Sequence, residues 1–261
     1  MAKAHHLSIE TQGSGDTLVF LHGFCESKEV WTNFVRPLQQ KFNTITLDLP
    51  GFGNNTAERS DYSMESMADY VKDALEELDV RKCILVGHSM GGYVSMAFAE
   101  KYGNLLRGLC LFQSSALPDS QEKKENREKT IDFVERNGVE KFIQSFVEPL
   151  FYSGNRERLQ QEIEMMKQLG KATPQQSVSG GLAAMRDRPD RTHILKDANF
   201  PLLFIFGKDD PAVPLEAALQ QCHLPGNSMA YFLAETGHMA MFERAYETRK
   251  ALEKFAETIF G

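Results

Sequence analysis

Five short apolar runs recur along the chain: Leu18–Leu21, Ile45–Leu49, Cys83–Val86, Leu109–Phe112 and Leu202–Phe206. Their apolarity is largely continuous rather than alternating, which suits strands buried on both faces, as in a parallel sheet covered by helices. Leu7–Thr11 and Met229–Leu233 are weaker strand candidates, and the first reads as an edge. Between the runs the period lengthens to that of a helix. Met64, Met67, Ala68, Val71, Leu75 and Leu78 share one apolar face, with Ser63 placed to cap its start. Ser89–Tyr102 reads as a second helix, with Gly103 as its expected C′ residue. Phe242, Ala245, Leu252, Phe255 and Ile259 make the stripe of a terminal one. Strands alternating with helices predict an α/β fold, a mostly parallel central sheet flanked by helices.

The alternation breaks at Pro118. From there to about Lys196 the pattern is helical and no run reads as a strand. Residues 119–137 are densely charged, with Glu125 and Lys129 spaced for an ion pair one turn apart. A further helix is predicted to begin at Thr173, with Thr173 as N-cap, Pro174 at N1 and Gln176 as capping-box partner. Strands resume at Leu202. Residues 118–196 therefore read as a helical cap inserted into a discontinuous core of residues 1–117 and 197–261.

Composition narrows the class without naming a chemistry. With 261 residues, 42% hydrophobic and 25% charged, the chain has enough material for a large buried core, and disordered, collagenous and disulfide-scaffold classes are excluded. Acidic residues outnumber basic ones, 36 to 29, for a net charge of −7, which argues against nucleic acid or a polybasic membrane contact. No apolar run approaches the roughly 18 residues of a membrane span. The opening MAKAHHLSIETQ lacks the apolar stretch of a secretory signal. Cys25, Cys83, Cys110 and Cys222 are widely spaced, and three adjoin apolar runs, as buried free thiols of a reducing compartment would. A cytoplasmic location is the expectation.

Candidate chemistry begins at Val86-Gly87-His88-Ser89-Met90-Gly91-Gly92, where G-x-S-x-G follows an apolar run and opens a helix. A nucleophile elbow needs that context: the sharp turn exposes the serine, and the glycines keep neighbouring side chains clear of it. The helix N-terminus also turns its N–H groups toward the reacting centre. A serine hydroxyl needs a base, and the base an orienting carboxylate. Both types stand just past later strand candidates, in Gly207-Lys208-Asp209-Asp210-Pro211 and Glu235-Thr236-Gly237-His238. The order Ser89, Asp210, His238 is the one such a sheet requires, with Asp209 as the competing acid. Backbone N–H groups of Met90 and of Phe24, in the loop after Leu18–Leu21, are the expected oxyanion donors. His22 is expected to hold that loop rather than to exchange protons.

These stretches together resemble the α/β-hydrolase superfamily, in its small single-chain form with a helical cap, of the carboxylesterase and enol-lactonase kind. The resemblance rests on LVFLHGF (Leu18–Phe24), DLPGFG (Asp48–Gly53), VGHSMGG (Val86–Gly92), FGKDDPAVP (Phe206–Pro214) and TGHMAMFE (Thr236–Glu243), and spans nearly the whole chain. In such families the acid lies three residues past the glycine that ends its strand, with a proline four further on. Asp210 and Pro214 match that pattern. Met185–Asp190 resembles the return from cap to core, and Asn54 departs from a common serine.

The resemblance implies hydrolysis of a small carboxylic ester through an acyl-enzyme, with no cofactor or metal and a small-molecule substrate. Phe142, Phe146, Leu150 and Phe151, joined by Met165 and Met166, are the expected apolar wall of the substrate pocket. The same triad serves C–C bond hydrolysis, lactone opening and synthase or lyase reactions. The synthase of menaquinone biosynthesis carries an arginine after the double glycine, where this chain has Tyr93. A hydrolase-fold receptor without turnover is a third class, disfavoured because all three triad types are present. His88, His193 and His223 lack carboxylate or cysteine neighbours at metal-ligand spacing, and His5 and His6 sit in a polar leader. Gly51-Phe52-Gly53 leads into a loop rather than a helix, so no dinucleotide site is expected. Nothing in the pattern announces an oligomeric state.

Overall fold

In the computed structural model, which describes residues 8–56 and 60–261, the apolar runs become one seven-stranded sheet. The strands are β1 (Ile9–Gln12), β2 (Thr17–Leu21), β3 (Asn43–Leu47), β4 (Cys83–His88), β5 (Leu106–Phe112), β6 (Leu202–Gly207) and β7 (Ser228–Leu233). Their spatial order is β1-β3-β2-β4-β5-β6-β7, and only β1 runs antiparallel to its neighbour. β2, β4 and β6 are buried along their whole length, the condition their unbroken apolar sequence met in advance. β1 and β7 are the partly exposed edges. Leu7 and the pair His5 and His6 lie outside the described residues.

From β2 the chain steps outward to β3 and then returns to β4 on the other side of β2. Loops leaving the carboxyl ends of β2 and β4 therefore diverge, and a crevice opens between them. The residues of interest sit at that end of the sheet: His22–Glu26 after β2, Ser89 after β4, Asp210 after β6 and His238 after β7.

Helix Met64–Glu77 buries the predicted face, and the Ser63 hydroxyl accepts the Ser66 N–H at 3.1 Å. Leu78 is the exception, a C-cap residue left exposed. Helix Met90–Tyr102 packs between that helix and the sheet and is buried on every side through its first ten residues. At its start a Cβ on Gly91 would stand 2.6 Å from the carbonyl oxygens of Leu21 and His22, so only glycine lets the helix meet the β2 loop.

Several local expectations are corrected. Gly103 is right-handed (φ −56°) and continues into a 3₁₀ turn, Gly103–Leu105, instead of closing a left-handed cap. Thr173 ends the Gln160–Ala172 helix, its hydroxyl bonded back to Leu169; the next helix starts at Gln175 with no side-chain cap. Proline leaves the residue before it extended, which forces that break. Glu125 accepts a hydrogen bond from Gln121 rather than pairing with Lys129. Phe242 belongs to a separate turn, Ala240–Glu243, ahead of the terminal helix Ala245–Phe260.

Between Pro118 and Lys196 the described residues contain helices and turns and no strand. Gln121–Asn137 packs on Gln175–Asp187, and Val139–Phe146 lies against Gln121–Asn137 and Gln160–Ala172. The two ends of this stretch are tied together. Asp119 accepts from Arg127 and, at 2.7 Å, from Arg188, which also donates to Leu117 O. Arg191 N–H reaches Ala116 O at 2.9 Å. No helix among the described residues is long and apolar enough to cross a membrane.

Candidate active site

Ser89 stands between β4 and its helix at φ +50°, ψ −117°, a conformation a side chain adopts only when the surroundings impose it. Its N–H bonds to Phe112 O, its carbonyl accepts the Ser114 hydroxyl at 2.6 Å, and its own hydroxyl is left for the cavity. Met90 N–H, in the first helical turn, has no intrahelical acceptor.

His238 is 3% exposed, and its Nδ1 meets Asp210 Oδ2 at 2.8 Å. The carboxylate must accept there, which places the proton on Nδ1 and the lone pair on Nε2. Asp210 is fixed in turn, its Oδ1 accepting Ala212 N–H (2.7 Å) and Val213 N–H (3.0 Å). Asp209 is exposed and contributes only its N–H, to Thr236 O, so of the two aspartates it is Asp210 whose carboxylate meets His238. Burial opposes the imidazolium of His238, but the charge and hydrogen bond of Asp210 outweigh it and raise its pKa above an ordinary histidine's. Ser89 and His238 line one cavity of about 210 Å³, and their side chains do not meet at hydrogen-bond distance.

Phe24, Phe142, Phe146 and Leu150 line the same cavity. Phe142 and Phe146 stack at 4.8 Å, and Phe24 meets Phe146 edge-on at 6.0 Å. Phe151 is a correction: it is 1% exposed, stacked on Phe242, and absent from the lining. Met165 and Met166 likewise pack into the core instead of the cavity wall. His22 holds its loop as expected, its Nδ1 on Gly23 O (2.8 Å) and its Nε2 accepting Leu49 N–H (2.9 Å), and burial lowers its pKa. Cys25, Cys83 and Cys110 are buried free thiols, Cys83 pushed up to about 12 by desolvation, while Cys222 is half-buried.

Three buried polar side chains escaped the sequence reading. Glu26, 3% exposed, accepts Gly23 N–H at 2.7 Å and meets His88 Nε2 at 3.1 Å, so His88 does have a carboxylate partner. His193 has one too, Glu100 at 3.5 Å. Gln113, at φ +49° past the end of β5, bonds Gly237 O and accepts Ala240 N–H at 2.7 Å. Glu243 accepts four hydrogen bonds, from Gly237 N–H, Met239 N–H, Tyr152 N–H and the Asn155 amide (2.8–3.2 Å). Gln113 and Glu243 grip the loop on both sides of His238. Only Glu243 had a sequence signal, its place at the end of TGHMAMFE. Glu243→Ala strands three buried donors and one half-buried one and is expected to cost about 3–5 kcal/mol in chemical denaturation. A loss under about 1 kcal/mol would show that the loop does not depend on it.

No group of three or more potential ligands gathers at metal-binding distance among the described residues. Tyr93, one helical turn after Ser89 and part of the same cavity lining, lies under the Arg188 guanidinium at 3.9 Å.

The whole chain has well-matched relatives. An esterase from Thermogutta terrifontis, solved with malate bound, superposes with a TM-score of 0.92 at 29% identity, covering 98% of this chain and 94% of that one. An uncharacterized hydrolase of Bacillus subtilis, YugF, is 29% identical over 247 residues, 87% of this chain and 85% of its own. A 2-hydroxy-6-oxononadienedioate/2-hydroxy-6-oxononatrienedioate hydrolase of Paraburkholderia phymatum is 28% identical over 261 aligned positions, 94% and 88% of the two chains. With a family model for the alpha/beta hydrolase fold matching residues 16–245, the chain belongs to the α/β-hydrolase superfamily.

Proposed function

We propose that the protein is a serine hydrolase of small carboxylic esters, acting through Ser89, His238 and Asp210. The observation that carries this reading is the buried 2.8 Å bond between Asp210 and His238, beside a cavity shared with a serine held at positive φ. His238 Nε2 takes the Ser89 proton as the oxygen attacks the carbonyl carbon. Met90 and Phe24 N–H groups receive the oxyanion, and His238 returns the proton to the leaving alkoxide. Water, deprotonated by the same imidazole, then attacks the acyl-Ser89 ester; the acyl–oxygen bond breaks, His238 returns the proton to Ser89 Oγ, and the acid is freed. No step calls for a cofactor or metal.

Residues 118–196 act in this reading as the cap, supported by the helical stretch, its tied ends and its aromatic share of the cavity wall. The cavity measures about 210 Å³, and its wall of Phe24, Phe142, Phe146, Leu150, Leu182 and Met185 suits an apolar acyl or alcohol group. A fluorophosphonate probe is expected to label wild type and spare Ser89→Ala; labelling of neither would sink the serine mechanism. The Paraburkholderia relative, named for 2-hydroxy-6-oxo dienedioate substrates, favours a second reading in which the same triad hydrolyses a vinylogous carbon–carbon bond. A panel of short esters, lactones and vinylogous diketones decides between them. Turnover of the carbon–carbon substrates alone, dependent on Ser89, would overturn the ester assignment.

Because the base must be neutral and its pKa is raised, kcat/KM should climb with pH through a midpoint above about 6.5. A midpoint below that would contradict the Asp210–His238 coupling.

A further inference from the structure

Two carboxylate–imidazole pairs face each other behind Ser89. One is Asp210–His238; the other is Glu26–His88, and the two imidazole rings lie 4.9 Å apart, tilted by 46°. His88 immediately precedes Ser89, and its Nδ1 is fixed on Phe112 O at 3.2 Å. Glu26 ends the loop that carries Phe24. One of its oxygens holds Gly23 N–H at 2.7 Å, and the other reaches His88 at the foot of the elbow. That loop also contains a left-handed residue, Cys25 at φ +57°, so its shape is not one the chain would keep unsupported. Glu26 therefore spans the two segments whose N–H groups must converge on one oxygen. It also lines the reactive cavity itself, which a carboxylate serving only to brace a loop need not do.

Resting on the serine-hydrolase reading above, we infer that Glu26 is a positioning residue of turnover: it sets the Phe24 N–H against Met90 N–H and supplies a second negative charge facing the His238 imidazolium. The charged and titratable groups that face this arrangement are Asp210, Lys123 and His88 around His238, and His88, His22 and Cys25 around Glu26. Burial alone would keep Glu26 protonated, but His88 and the Gly23 N–H offset that and lower its pKa, so the carboxylate is ionised. Its charge adds to that of Asp210 in favouring the protonated form of His238, and Lys123 opposes both.

Three substitutions separate positioning from charge. Glu26→Gln keeps an acceptor for Gly23 N–H and removes the charge. Glu26→Asp keeps the charge and shortens the reach. Glu26→Ala removes both. On p-nitrophenyl butyrate, Glu26→Ala is expected to lower kcat about 10- to 100-fold with KM within about threefold. The acid limb of kcat/KM should move down by roughly half a pH unit in Glu26→Gln and Glu26→Ala, because their His238 loses a stabilising charge. In Glu26→Asp the limb stays at the wild-type position while kcat still falls. Circular dichroism and thermal melting establish that each variant is folded, and an unfolded Glu26→Ala leaves the decision to the other two. A limb that does not move in Glu26→Gln, or a kcat unaffected in Glu26→Asp, overturns the inference while wild type and its Ser89 labelling stay intact. Wild type that neither turns over nor labels overturns the hydrolase reading, and this inference with it.

Discussion

Replacing Ser89 by alanine is expected to lower kcat by about four to six orders of magnitude, the range found where a nucleophile is deleted from an intact triad. The fold should not register the change. Alanine keeps the Cβ, so the cost of φ +50° is the same in both proteins, and the lost hydroxyl makes no hydrogen bond that anything else depends on. The elbow is held by other atoms: Ser89 N–H on Phe112 O, Ser89 O accepting the Ser114 hydroxyl, and Gly92 and Tyr93 N–H groups turning back onto Ser89 O. Melting temperature should therefore move by less than about 2 °C, a shift of no more than about 1 kcal/mol for a chain of this size. KM should also hold, because the apolar wall of Phe24, Phe142, Phe146 and Leu150 is untouched. Measured turnover within tenfold of wild type would mean that the nucleophile lies elsewhere or that water attacks directly.

What was readable in advance followed from periodicity and from covalent adjacency. β2, β4 and β6 announced themselves because strands buried on both faces admit no polar alternation. Ser89 was readable because its strand, turn and helix are contiguous, and His238 because it closes a short loop after β7. Asp210 needed more, since Asp209 beside it has the same chemistry; only the fold shows one carboxylate turned inward and the other toward solvent. Glu26 was hidden for a deeper reason: its partner His88 is 62 positions away, and that pairing exists only because β2 and β4 are neighbours. Gln113 reaches the His238 loop from 124 and 127 positions away, beyond the range of any local motif, whereas Glu243 bonds it from six and four positions away and so stood inside a motif that did not show what it holds. Phe151 misled in the opposite direction. It groups with the other apolar cap residues as expected pocket wall, but it follows the turn Glu148–Leu150 and stacks on Phe242, outside the cavity lining.

Asp210→Asn is expected to lower kcat/KM by about three to four orders of magnitude, through a tautomer rather than through a lost fold. The amide oxygen can still accept Ala212 and Val213 N–H groups, so the turn after β6 survives. Its NH₂ then faces His238 Nδ1, which must become the acceptor, and the proton moves to Nε2, the atom that has to receive the Ser89 proton. The pH dependence should move with it. In wild type the carboxylate holds the His238 pKa above the ordinary value against the opposing effect of burial. The stability that coupling contributes is fully present below the unfolded-state pKa and is lost as pH rises through the folded one. In Asp210→Asn burial acts unopposed by Asp210, so the acid limb of the residual activity shifts to lower pH and the extra stability of the acidic side disappears. Asp209→Asn alters an exposed side chain whose backbone alone is engaged, and its kcat/KM should stay within about twofold of wild type. The reverse pattern, loss in Asp209→Asn and near-normal rates in Asp210→Asn, would mean that the loop after β6 rearranges when substrate binds and that the 2.8 Å bond belongs only to the resting enzyme.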